Sequence, residues 1–137
     1  MLADVLKGVV PILIARLFLV HGFDLSLIAI VAVLGHVYPV FFGFQGGKGI
    51  ATTLGAILAL SWMVGLMFML TWLIVVIAFR LSSLASLISM MLLPLYVLFW
   101  SNPKYVLPMI ILVLIVTYHH RSNIQRLLKG EEPKIGQ

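Results

Sequence analysis

The sequence predicts an all-α fold, a polytopic transmembrane helix bundle of about six apolar segments, one of them short enough to be a half-helix. Three observations carry this expectation. Of the 137 residues, 63% are hydrophobic and only 9% are charged, whereas an ordinary soluble domain is about half apolar and about a quarter charged. Mean hydropathy is +1.20. The segments between polar breaks are apolar on every side, which is how helices read when lipid replaces water around them. With no cysteine in the chain, disulfide and thiol chemistry are excluded. The net charge of +5 does not point to nucleic acid, because the long apolar runs leave no surface for a duplex; membrane orientation accounts for the basic residues better. The start does not read as a cleavable signal peptide: Asp4 precedes Lys7, and no small-residue cleavage site follows a short apolar run.

The segments are Val5–Val20, Leu25–Phe44, Ile50–Leu60, Met63–Phe79, Leu84–Trp100 and Tyr105–His119. Several fall short of the roughly 20 residues that a perpendicular span needs, so their ends must borrow polar or aromatic residues, tilt, or lean on neighbours. The third is too short alone and reads as a half-helix or re-entrant piece buried in protein. The sixth can continue as helix into the tail. Trp62, Trp72, Trp100, Tyr96, Tyr105 and Tyr118 are candidate interface anchors, with plain packing an equal account of Trp72 and Tyr96. By composition, residues 1–120 form the transmembrane domain and residues 121–137 a basic cytoplasmic tail.

Charge counting sets the orientation. If all six segments cross, Lys7, Lys48, Arg80, Arg121, Arg126, Lys129 and Lys134 share one side and only Arg16 and Lys104 the other. Basic residues accumulate in cytoplasmic loops, so the first side is cytoplasmic. Reading Ile50–Phe79 as one long helix weakens that bias and parts the tail from Lys48. A break near Ser61-Trp62 is therefore expected, with the polar motifs on one face.

Those motifs suit phosphate. Gln45-Gly46-Gly47-Lys48-Gly49 is a sharp glycine loop opening a helix at Ile50-Ala51-Thr52-Thr53; bare amides at a helix N-terminus beside a lysine ammonium favour an anion. The plainer account is a glycine turn with a snorkelling lysine, with Thr52 and Thr53 back-bonding inside the helix. It is not a Walker A loop, since Gly49 rather than Ser or Thr follows Lys48. Ser83 and Ser86 share a helix face, as packing residues or as hydroxyls donating to phosphate. His120, Asn123 and Arg126 recur at three-residue intervals where the last segment leaves the membrane, either as a headgroup-binding tail or as a phosphate clamp with neutral His120 accepting a proton; His119 points elsewhere. Asp4, Lys7 and Gly8 share a face, as an edge ion pair or as part of a polar site. His36, near Pro39, reads first as a hydrogen-bonded packing residue, and Arg80 as a membrane-edge anchor. Glu131 or Glu132 can tie the tail down by pairing with a base. No His/Cys/carboxylate grouping has metal-ligand spacing, and no cofactor is expected.

Taken together, Gly35-His36-x-x-Pro39 followed by Phe44-x-Gly46-Gly47-Lys48-Gly49-x-Ala51-Thr52-x-x-Gly55 resembles the second signature block of the bacterial PlsY-type acyl-phosphate:glycerol-3-phosphate acyltransferases. The stretch from His120 to Gly136 resembles that family's closing block, and Asp4-x-x-Lys7-Gly8 the start of its second helix. The resemblance implies an enzyme that moves an acyl chain from acyl phosphate to the sn-1 hydroxyl of glycerol 3-phosphate, giving lysophosphatidic acid and phosphate for phospholipid synthesis in the bacterial inner membrane. Its implied catalytic residues are His120, Asn123 and Lys48. Gly46, Gly47, Lys48, Gly49, Thr52, Ser83, Ser86, His120 and Asn123 would bind substrate phosphate, with Asp4, Lys7, His36 and Glu131 in support. Its partners would be acyl phosphate, glycerol 3-phosphate and the bilayer. Family members carry an earlier helix and a first block, S-G-N-x-G-x-T-N, with a nearby arginine; this chain starts after both, so a truncated or mis-started chain is expected. The alternative classes are a small transporter or channel subunit with an anion-binding glycine loop, for which a second matching break is missing, and a structural subunit whose basic face binds anionic lipid.

Overall fold

A computed structural model describes residues 1–39 and 47–136. Its helices are α1 (Leu2–Leu17), α2 (Gly22–Val37), α3 (Ile50–Leu60), α4 (Trp62–Phe79), α5 (Ser82–Trp100), α6 (Val106–His119, entered through a 3-10 turn at Pro103–Tyr105) and α7 (Arg121–Lys129). No strand occurs among the described residues. The helix class is as the sequence predicts, and each of the six expected apolar segments contains a helix, with bounds that differ most at the first and second.

Each break has a local cause. The second segment was expected to run to Phe44, but α2 stops at Val37, with Tyr38 at φ −117, ψ 67. Pro39 accounts for this, since its ring disfavours helical geometry in the residue before it. Residues 40–46, and with them the expectation for Gly46, lie outside the described part. The break between the third and fourth segments falls at Ser61, which is extended at φ −154, ψ 104. There the chain folds back so tightly that a Cβ on Gly65 would lie 2.5 Å from Leu58 Cδ2. α6 does not continue into α7: the two are bent by 63°, because α6 is apolar all round whereas α7 carries Arg121, Gln125, Arg126 and Lys129 and leaves the apolar layer at its first polar residue.

Two polar ends result. At one end, Ile135 N–H donates to the Arg80 carbonyl and Arg80 Nη2 donates back to the Ile135 carbonyl, each at 2.8 Å, while Lys48 meets Asn123. At the other end, Arg16 Nη2 donates to the Leu60 carbonyl at 2.9 Å, capping α3 from α1. The helices α1 and α3 therefore run parallel, and α3 and α4 antiparallel. α1 and α3 touch backbone to backbone: a Cβ on Gly8 would lie 2.0 Å from Thr52 O, and one on Gly55 2.0 Å from Val5 O. Small residues at such crossings let helices approach where the hydrophobic effect cannot drive them together.

Ile12, Val33, Ala56, Phe68, Met90 and Leu112 fill the centre of the bundle. Large apolar side chains also face outward: Ile74, Ile77, Met91 and Leu114 are each at least 66% exposed, a surface that suits lipid and not water. α4 and α5 are each long and apolar enough to cross a membrane, and α6 with α7 forms a broken candidate span. α3, with 11 residues, is about 16 Å long, roughly half the hydrocarbon thickness. Of the expected interface aromatics, Trp62, Trp100 and Tyr118 are exposed, but Tyr105 is buried. Trp72 and Tyr96 pack inward, bonded to Ser86 and Thr71.

Candidate functional site: an anion cradle at the start of α3

The site begins with Gly49, the N-cap of α3. Its φ is +87, a left-handed conformation that only glycine adopts freely. A Cβ there would also lie 2.9 Å from Val33 Cγ1. Among the described residues no side chain caps the helix, and no acidic residue lies in its first turn. The first-turn amides, which have no partner within the helix, are thus available to an anion, and Lys48 stands immediately before them.

Lys48 is positioned by a relay that starts in the tail. Its Nζ donates to Asn123 Oδ1, Asn123 Nδ2 donates to Glu132 Oε1 at 2.6 Å, and Arg126 Nε donates to Glu132 Oε2 at 2.7 Å. Burial pushes the Glu132 carboxyl up, but the adjacent Ser83 hydroxyl, the hydrogen bonds from Asn123 and Arg126 and the Arg126 charge outweigh it and hold the group below the usual carboxylate range. The Ser83 hydroxyl sits beside this carboxylate, buried, without a hydrogen bond of good geometry among the described residues. The relay pairs the Glu132 carboxylate with Asn123 and Arg126 and not directly with the Lys48 ammonium.

His120 occupies the bend between α6 and α7 and is 3% exposed. Its Nδ1 lies 2.8 Å from the Val116 carbonyl, so Nδ1 carries the proton and Nε2 is left as an acceptor. Burial lowers its pKa, opposed by the bond to Val116 and reinforced by the Lys48 charge. His120 is therefore a neutral base held next to Lys48.

The structure brings Gly47, Lys48, Gly49, His120, Asn123 and Ser83 to one end of the bundle and revises several neighbours. Glu132, not Glu131, ties the tail down; Glu131 is exposed, while the Glu132 side chain is 7% exposed with both oxygens bonded. Arg126 belongs to that tie and not to a phosphate clamp. Ser86 donates its proton to the Ser82 carbonyl and accepts from Trp72 Nε1, whereas the Ser83 hydroxyl lies beside Glu132 without a bond of good geometry among the described residues. The Thr52 and Thr53 hydroxyls do not back-bond; both are buried without a partner among the described residues. Lys7 is the edge ion pair of the plainer account, 56% exposed and 3.5 Å from Asp4. Arg80, which spacing marked only as an edge anchor, holds the strap that carries Glu132. No spacing signal links residues 55 positions apart.

Two hollows adjoin the cradle. An apolar cavity of about 450 Å³ starts at Ile50 and Ala51 and runs between α1, α3, α4 and α5 past Leu54, Phe68 and Trp72 to Ser86. A more polar cleft of about 620 Å³ lies on the far side of Lys48, between Tyr38, His119 and Arg121. His119 bonds the Ile115 carbonyl and stacks edge-on against Tyr38, away from His120.

Residues 1–130 match the family model described as glycerol-3-phosphate acyltransferase. The chain is 44% identical over 133 residues to a glycerol-3-phosphate acyltransferase of Francisella tularensis subsp. holarctica, which covers 97% of this chain and 65% of that protein. It is 44% identical over 135 residues to the protein of the same name in Coxiella burnetii, covering 98% of this chain and 70% of that one. The chain thus spans less than two thirds of the Francisella relative. Two crystal structures of PlsY (YgiH), an integral membrane glycerol 3-phosphate acyltransferase, superpose with a TM-score of 0.90 at 40% identity. They are its lysophosphatidic acid form and its glycerol 3-phosphate form, and the match covers 97% of this chain and 69% and 68% of theirs.

Proposed function

Because the chain belongs to the glycerol-3-phosphate acyltransferase family, we propose that it transfers an acyl chain from acyl phosphate to the sn-1 hydroxyl of glycerol 3-phosphate, releasing lysophosphatidic acid and phosphate. The observation that carries this reading is the convergence of Lys48, Asn123 and neutral His120 on the open N-terminus of α3, at the mouth of an apolar cavity. Phosphate binds the first-turn amides, Lys48 and the Ser83 hydroxyl, and the acyl chain lies in the cavity. The glycerol hydroxyl oxygen attacks the acyl carbon, the carbon–oxygen bond to phosphate breaks, and the hydroxyl proton passes to His120 Nε2 or to a substrate phosphate. An acyl phosphate is already activated, so proximity and charge neutralisation supply most of the acceleration. The basic end faces the cytoplasm of the inner membrane, as the excess of basic residues on that side supports.

The test is release of lysophosphatidic acid from acyl phosphate and glycerol 3-phosphate in detergent micelles, with calorimetric binding of glycerol 3-phosphate alongside. The parent is expected to bind and turn over, and Lys48→Ala to lose at least about a hundredfold in kcat/KM, as removal of one positioned charge-stabilising group does. Full activity in Lys48→Ala refutes the assignment, and a folded parent that neither binds nor turns over refutes the function.

A further inference from the structure

The loop before α3 is moulded from behind by one face of α2. A Cβ on Gly47 would lie 2.5 Å from His36 Nε2, and one on Gly49 would lie 2.9 Å from Val33 Cγ1 and 3.3 Å from Val37 Cγ2. Val33, His36 and Val37 are spaced i, i+3, i+4, so they form a single stripe on the last turns of α2. The two valines are fixed by burial. His36 is fixed from outside its own helix: its Nδ1 is 3.4 Å from Asp4 Oδ1 on α1, and its side chain is only 11% exposed. Nδ1 faces the Asp4 carboxylate, and Nε2 is turned toward Gly47. α1 is in turn locked to α3 at Gly8 and Gly55. α1, Asp4, His36, the loop and α3 thus form a ring in which no space is left for a side chain at Gly8, Gly47, Gly49 or Gly55.

We propose that Asp4 and His36 form a buttress that fixes the Gly47–Gly49 loop in its phosphate-receiving shape, which makes both of them positioning residues for glycerol 3-phosphate. The proposal rests on the function above and deepens it: neither residue touches the substrate, and both act through the loop. Gly47 is then a glycine because the His36 ring occupies the space a side chain would need.

Calorimetry of glycerol 3-phosphate binding to the detergent-purified chain tests this with Asp4→Asn, His36→Ala, Gly47→Ala and the double variant His36→Ala/Gly47→Ala. Each single variant is expected to weaken binding about tenfold, and where turnover is followed KM rises while kcat holds. In the His36→Ala background, Gly47→Ala adds no further loss, because the ring it collides with is gone; a coupling of about tenfold is in the range of residues in contact. A merely destabilising pair of substitutions would instead add. Additive losses overturn the proposal. So does an Asp4→Asn variant that binds like its parent, or a variant in which kcat falls with KM unchanged. A parent that binds no glycerol 3-phosphate overturns the proposed function and the buttress with it, whereas a binding parent matched by its variants overturns the buttress alone.

Discussion

Gly55→Ala introduces one methyl group at the α1–α3 crossing. The new Cβ would lie 2.0 Å from Val5 O and 2.9 Å from Val5 C, where an ordinary contact is about 3.4 Å. Relief requires the helices to part by about 1.4 Å. The obstructing atoms are backbone, so no rotamer change helps, and the cost falls at the upper end of the roughly 1–3 kcal/mol of overpacking. About 3 kcal/mol corresponds to roughly 150-fold in the folded ratio. The same movement carries the first turn of α3 away from His120 and Asn123, and a misplacement of about 1 Å at a reacting centre costs on the order of a hundredfold. Gly35→Ala is the internal control, since nothing lies within 4 Å of its added Cβ and alanine favours a helix interior by up to about 1 kcal/mol. The assay is reversible unfolding in mixed detergent micelles with rising SDS, followed by circular dichroism, with glycerol 3-phosphate affinity measured on the same samples. Gly55→Ala should unfold at lower SDS and bind weakly, while Gly35→Ala matches or exceeds the parent. A Gly55→Ala chain as stable as Gly35→Ala would refute the close α1–α3 crossing.

Glu132→Gln should release the C-terminal strap, seen as faster protease cleavage after residue 130, because it removes a charge that accepts from both Asn123 and Arg126; hydrogen bonds to a charged group contribute about 1.5–3 kcal/mol each, less here for the part-exposed Arg126. The Glu132 carboxyl is held below its unfolded value, so its contribution is complete above the unfolded pKa, about 4.3, and is lost as pH falls through the folded value. Strap protection in the parent should therefore fall below about pH 4.3, and Glu132→Gln should lack that step; a parent with no acid step contradicts the relay. Arg16→Met keeps the side-chain length and removes the cap on α3. SDS resistance should drop by about 1 kcal/mol, since cations complement a helix C-terminus to that extent, and no change would mean that Arg16 only marks the membrane edge.

The candidate site was partly legible in the chain. Gly47, Lys48 and Gly49 are contiguous, so loop chemistry alone marked them as an anion site. His120 and Asn123 lie three residues apart, and that spacing put them together even though the chain bends at His120. Ser83 and Ser86 looked equivalent by spacing. Only the neighbours separated them, since Trp72 and the Ser82 carbonyl occupy Ser86 while Ser83 turns toward Glu132. Glu131 and Glu132 were likewise indistinguishable until the strap's path from Arg80 showed which one turns inward.

By itself the sequence determined that this protein is a bundle of apolar helices, and pointed to most of its basic groups lying at one end with a glycine loop opening onto a helix there. Composition, periodicity and charge asymmetry are local or summed properties, and lipid enforces them without reference to which helix touches which. The tertiary structure decided what those groups do to one another: that α3 lies against α1 closely enough to exclude a methyl group, that His36 backs Gly47, and that Lys48 is held by a relay reaching Glu132. These are contacts between residues tens of positions apart. They depend on helix directions and crossing distances of a few ångströms, which no pattern along one strand of sequence encodes.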